Sequence, residues 1–199
     1  MIDVEVIPRQ FVRGTIMRLL LAIGLALAAA IPALAGPDAP VKAIMDLASA
    51  LWSDKPPENQ DYFDKHHIGL FSKDFVAAYR ETEKYPIYEE GGSPFGYDVI
   101  TNSQDGCPLK DVSITPGTEA AGATDVKVTF KLMSCYAEDP NKDALSEVHF
   151  KVVTEDGKSL VSDIERIIDG KSVSLMAEMK EIVKVGQETP TDQQEPQQQ

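Results

Sequence analysis

Two hydrophobic periods divide the chain. Over residues 38–52, Val41, Ile44, Met45, Ala48, Leu51 and Trp52 recur at three- and four-residue spacing, which predicts a helix with one apolar face. Asp38 stands where an N-cap is expected and Pro40 falls in the first turn. After Lys55-Pro56-Pro57 a weaker helical stretch carries Tyr62, Phe63 and Ile68. Ser72 then reads as the cap of a third helix with Phe75, Val76 and Tyr79 inward. Residues 85–108 are rich in Pro, Gly, Ser, Asn and Asp, which predicts loop with at most a short strand at 97–100.

From residue 110 the period becomes two. Val112 and Ile114, then Val126, Val128, Phe130 and Leu132, then Val148, Phe150 and Val152 alternate with polar residues, as antiparallel strands with one buried face do. Glu155-Asp156-Gly157-Lys158 carries an Asp-Gly turn signal leading into a fourth strand at 160–168. Asp169-Gly170-Lys171 is expected to end that strand, and Ser172 to cap a final helix with Leu175, Met176, Met179, Ile182 and Val183 inward. There is no internal repeat. The order predicts an α+β fold: N-terminal helices packed on a curved four-stranded antiparallel sheet, with a C-terminal helix.

The first 35 residues do not belong to that pattern. Arg18, the apolar run 19–30, Pro32 and the triplet Ala33-Leu34-Ala35 read as a signal peptide over 17–35, cleaved before Gly36. Twelve apolar residues fall short of the roughly 20 a membrane-spanning helix needs. With no cysteine near the cleavage point, a lipid anchor is not expected. Met17 makes a better start for this segment than Met1, so residues 1–16 read as an upstream extension. At the other end, residues 186–199 hold six glutamines and two prolines and are expected to form a disordered tail. A single α+β domain at 36–185 remains, periplasmic or secreted.

The whole chain carries 19 basic and 32 acidic residues, a formal charge of -13. Cleavage would remove three of the basic and two of the acidic residues, leaving 16 and 30, or -14. So acidic a chain disfavours nucleic acid and anionic membrane surfaces as partners. Its two cysteines, in an exported protein, are expected to be bonded. A hairpin register in which paired positions sum to 242 sets Val112 opposite Phe130 and Ile114 opposite Val128, and the same register sets Cys107 opposite Cys135.

The order of helices, the excursion SPFGYDVITNSQDG, the strands VKVTF and VHFKVV, LVSDIERI and the terminal SLMAEM helix resembles the nuclear-transport-factor-2-like superfamily, cystatin-like α+β cones, and most of all its exported bacterial branch of unknown function. The resemblance covers about residues 40–184 and implies a cone-shaped sheet with room for a pocket on its concave side. It implies no ligand.

Candidate chemistry is sparse. There is no phosphate loop, Gly-x-Ser-x-Gly, Cys-x-x-Cys or His-Glu-x-x-His, so no cofactor or metal is expected. His66 and His67, being adjacent, lack ligand spacing. His149 lies on the strand face opposite Val148 and Phe150 and meets either solvent or a pocket. Asp163 sits mid-strand as a possible pocket carboxylate. Residues 95–107 are the best place for recognition, with Tyr97, Asp98, Gln104 and Asp105 as ligand- or partner-binding candidates; the same composition also builds turns.

Three functions fit these features. The first is a noncatalytic envelope binding or accessory module that engages a small molecule or a protein partner. The second is an inhibitor or immunity protein docking on a basic cell-wall hydrolase, for which Glu81, Glu83, Glu89 and Glu90 supply acidic surface. The third is a small lyase or isomerase with Asp98, His149 or Asp163 as general base. The absence of a catalytic motif favours the first.

Overall fold

The computed structural model of the protein describes residues 36–87 and 93–188. The expected extension and signal peptide (1–35), Glu89, Glu90 and residues 189–199 of the expected tail lie outside the described residues. The elements run α1 (Asp38–Leu51), a 3-10 turn (Ile68–Leu70), α2 (Lys73–Thr82), β1 (Lys110–Ala120), β2 (Ala123–Lys131), β3 (Ser146–Glu155), β4 (Lys158–Ile168), β5 (Lys171–Ser174) and α3 (Leu175–Glu188). The five strands form one curved antiparallel sheet in chain order.

That meander follows from its turns. Three of its four connections are the pairs Ala121-Gly122, Asp156-Gly157 and Asp169-Gly170, and all six residues have positive φ, from 49° to 82°. Two successive left-handed residues make the hairpin turn whose twist matches that of paired strands. Glycine takes the second place each time, where it alone adopts that conformation without steric cost. The β2–β3 connection is longer and is fastened by the expected disulfide, Cys107–Cys135, with Cα atoms 5.6 Å apart. The predicted register holds between Ser113 and Pro116, where Ile114 faces Val128.

Several expectations need correction. The sheet has five strands rather than four, because Asp169-Gly170 reverses the chain instead of ending the sheet. Ser172 therefore lies in β5, and Ser174 caps α3, its Oγ accepting from the Ala177 N–H at 3.0 Å. The stretch holding Tyr62, Phe63 and Ile68 is not an α-helix. Asp61 Oδ1 accepts from the Phe63 N–H, and Asp64 Oδ1 from those of His66 and His67, so side chains satisfy donors that a helix would use. Asp38 is the first residue of α1 rather than its cap, and it pairs with Lys42. Val112 is 38% exposed, since a register shift between Lys110 and Ser113, with Asp111 at φ 54°, turns it off the buried face. Residues 97–100 are loop, within the expectation of at most a short strand, with one isolated bridge joining Asp98 to Ser103. Helix α3 runs on to Glu188, past the expected start of the tail.

All three helices contribute to one core with the apolar sheet face. Val126, Val128, Phe130, Val148, Phe150, Val161 and Ile164 meet Val41, Ile44, Met45 and Ala48 of α1, Phe75 of α2, and Leu175 and Met179 of α3. Aromatic rings fill the space beside α2: Phe63 lies 4.3 Å from Tyr79, and Phe71 stacks on Phe75 at 4.6 Å between centroids. The irregular segment 93–108 belongs to this core as well, burying Phe95, Val99, Ile100 and Cys107. It is held by burial, side-chain hydrogen bonds and a few isolated backbone bonds rather than by a ladder.

Candidate functional site

Asp98 organises the region. One carboxylate oxygen accepts from the Trp52 indole N–H at 3.0 Å and the Tyr62 hydroxyl at 2.7 Å, and the other from the Ile100 and Thr101 N–H groups at 2.9 and 2.8 Å. Four donors from three segments thus converge on one side chain. The end of α1, the 60–63 turn and the 93–108 excursion are tied together by it. Burial raises the Tyr62 hydroxyl far above its ordinary range, and the charges of Asp98 and Asp61 push it the same way.

A cleft of about 380 Å³ opens between these segments. Leu51, Gln60, Asp61, Tyr62, Phe63, Ser93, Phe95, Gly96, Tyr97, Asp98 and Val99 line it. Four of these eleven residues are aromatic, and the polar groups cluster at Gln60, Asp61, Ser93 and Asp98. An apolar recess with a few placed polar groups is the usual form of a small-molecule site.

Behind the cleft Tyr97 joins a second cluster. Its hydroxyl lies 2.5 Å from both Glu178 carboxylate oxygens and also contacts the Arg166 guanidinium, which pairs with Glu178. Arg166 is 2% exposed, its Cζ stands 4.9 Å over the Tyr97 ring, and its Nε has no hydrogen-bond partner. Burial pushes the Tyr97 hydroxyl up to about 12, reinforced by its bond to Glu178. For Arg166, burial works against the charge and is outweighed by the bonds to Glu178 and Tyr97. Glu178 also borders a second groove of about 420 Å³ walled by Tyr85, Pro86, Ile87, Pro94 and Ile182.

The other candidates lie elsewhere. On the sheet face opposite the core, His149 Nδ1 is 2.8 Å from Asp125 and Nε2 is 2.9 Å from Glu147. Lys151 bridges Asp125 and Glu165 at 3.1 and 3.3 Å on the same face. Asp163 accepts from the Ser174 hydroxyl and the Met176 N–H, so it holds the start of α3. Gln104 donates to the Gly96 carbonyl, and Asp105 is exposed in a turn with Ser103. His67 pairs with Asp64, which four hydrogen bonds from His66, Asp61 and His67 depress to about 2 against the opposing effect of burial. Among the described residues no group of three or more His, Cys, Asp or Glu could hold a metal ion.

The structure therefore brings Tyr97 and Asp98 to one cleft and leaves His149, Asp163, Gln104 and Asp105 outside its lining. Sequence reasoning missed Trp52, Tyr62 and Asp61 as its companions, because their meeting depends on long-range packing. Arg166 did leave a signal: it stands two residues after Ile164, in the inward phase of β4 where an apolar residue is expected. No family model, no curated protein and no solved structure matches the chain.

Proposed function

We propose that the protein is an exported, noncatalytic binding module of the bacterial envelope whose cleft beside Asp98 takes a small molecule. The observation that carries this reading is the Asp98 hub: four hydrogen bonds tie together the three segments around a partly aromatic recess, and recesses formed in advance favour binding by lowering the ordering cost. Export is supported by the disulfide and by the signal-like segment at 17–35. Among the described residues no helix is long and apolar enough to cross a membrane. The curved antiparallel sheet with helices on one face supports the resemblance to nuclear-transport-factor-2-like cones.

Separation of Asp98, His149 and Asp163 over different parts of the molecule speaks against a lyase or isomerase built on them. For the inhibitor reading, Glu81 and Glu83 are paired with Lys84 and Arg80, which reduces the acidic surface that α2 offers. A screen of small aromatic compounds by amide NMR on the chain from Gly36 tests the binding reading. Hits should shift the amides of Phe63, Gly96 and Val99 together, and Leu51→Trp, which fills the cleft wall, should abolish them. Shifts scattered over the sheet, or hits unaffected by Leu51→Trp, would overturn the assignment.

A further inference from the structure

The cleft's charge selects among small molecules, and this step rests on the binding reading above. Two carboxylates, Asp61 and Asp98, line the recess, while no Lys, Arg or His does so among the described residues. Asp98 is held by an indole N–H, a hydroxyl and two backbone N–H groups, all of them neutral donors. Its negative charge is therefore stabilised without being cancelled. Asp61 is exposed and commits Oδ1 to the Phe63 N–H, and no cation among the described residues pairs with it. Both residues line the cleft beside Tyr62, whose hydroxyl donates to Asp98.

Aromatic surface adds to this field. Tyr97, half-buried at the cleft, offers ring surface that attracts a cation, while Tyr62, Phe63 and Phe95, each 4–5% exposed, supply apolar backing. An anionic ligand would meet two like charges at the cleft, with no Lys, Arg or His in its lining to offset them. A protonated amine on a short apolar body meets carboxylates and ring surface instead. At about 380 Å³ the space is at the small end of ligand sites, which limits that body to a single ring or short chain.

We propose that the Asp98 cleft binds small organic amines in their protonated form, the ammonium lying toward Asp61 and the apolar part against the aromatic wall. Three probes of one shape test it by amide NMR titration: phenethylamine, 2-phenylethanol and 3-phenylpropionate. Phenethylamine should bind about tenfold more tightly than the alcohol, a difference of the size a partly desolvated cation contact supplies, and the carboxylate should bind least. Asp61→Asn keeps the acceptor for the Phe63 N–H and should bring the amine and the alcohol level. Equal or tighter binding of the alcohol or the carboxylate to the unmodified chain overturns the amine preference and leaves the cleft as a binding site. Failure of all three probes to shift cleft amides overturns both readings. A preference for the amine that survives Asp61→Asn unchanged removes Asp61 from the proposed contact and overturns it as stated.

Discussion

Asp98 shows how much one side chain can settle. Replacing it with alanine strands the Trp52 N–H, the Tyr62 hydroxyl and two backbone donors in a partly buried place. Unsatisfied buried donors cost about 1–3 kcal/mol each and do not add fully, so Asp98→Ala should lower unfolding free energy by about 3 kcal/mol. Trp52 is the single tryptophan, so its emission reports on the hub directly and should shift to the red in the folded variant. A second residue-scale case is His149. Partial burial lowers its pKa, but hydrogen bonds to Glu147 and Asp125 outweigh this and raise it above the ordinary 6.5. Protonated His149 therefore stabilises the fold fully below about pH 6.5, and that contribution is lost as pH rises through the folded-state value. Asp125 and Glu147 titrate lower when folded, and their share disappears as pH falls through the acid range. The difference in urea midpoint between the unmodified chain and His149→Gln should be largest at about pH 5 to 6 and should close toward about pH 8. A difference that grows with pH would contradict the arrangement.

Elements join where packing is tightest. A β-carbon added at Gly106 would lie 2.6 Å from Leu132 Cδ1 and 2.7 Å from Trp52 Cζ3, so the excursion, the end of β2 and the end of α1 meet there without slack. Gly106→Ala should cost about 1–3 kcal/mol in urea unfolding, the usual range for overpacking a filled interior. The next residue begins the disulfide, which closes a loop with a sequence separation of 28. Changing both cysteines to serine should cost about 3–4 kcal/mol on the chain-entropy account, measured by urea unfolding without reductant. This bond and most of the strands were legible in the sequence because they depend on local period and register. Signals of the missed strand were present too. Asp169-Gly170 repeats the turn dipeptide of Asp156-Gly157, and reading it as a hairpin yields β5. Likewise Val161 and Ile164 are both inward although three apart, which marks the β4 irregularity opposite Lys151 and Val152. What period could not reveal was the cleft. Trp52, Tyr62 and Asp98 are separated by up to 46 residues and meet through an excursion whose composition reads as turns.

At the scale of the whole molecule, charge sets the response to salt. The chain from Gly36 carries 16 basic and 30 acidic residues, so its unpaired carboxylates repel one another in the compact state. Several of its ion pairs are largely exposed, among them Lys73–Asp156, Lys84–Glu81 and Lys184–Glu181, and pairs of this kind contribute little. Screening them forfeits correspondingly little. Arg166–Glu178 is different: the Arg166 side chain is 3% exposed and that of Glu178 27%, and salt screens a partly buried pair less. Raising sodium chloride therefore weakens a net repulsion more than it weakens the attractions that matter. The urea midpoint should rise between about 10 mM and about 200 mM sodium chloride at pH 7, where the Debye length falls from about 30 Å to below 10 Å. Amine binding in the cleft should weaken over the same range, because it draws on the same negative field. Stability and affinity moving in opposite directions with one salt would separate the global repulsion from the local attraction. A midpoint that falls with salt would mean that the exposed pairs, rather than the net charge, dominate the electrostatics of this fold.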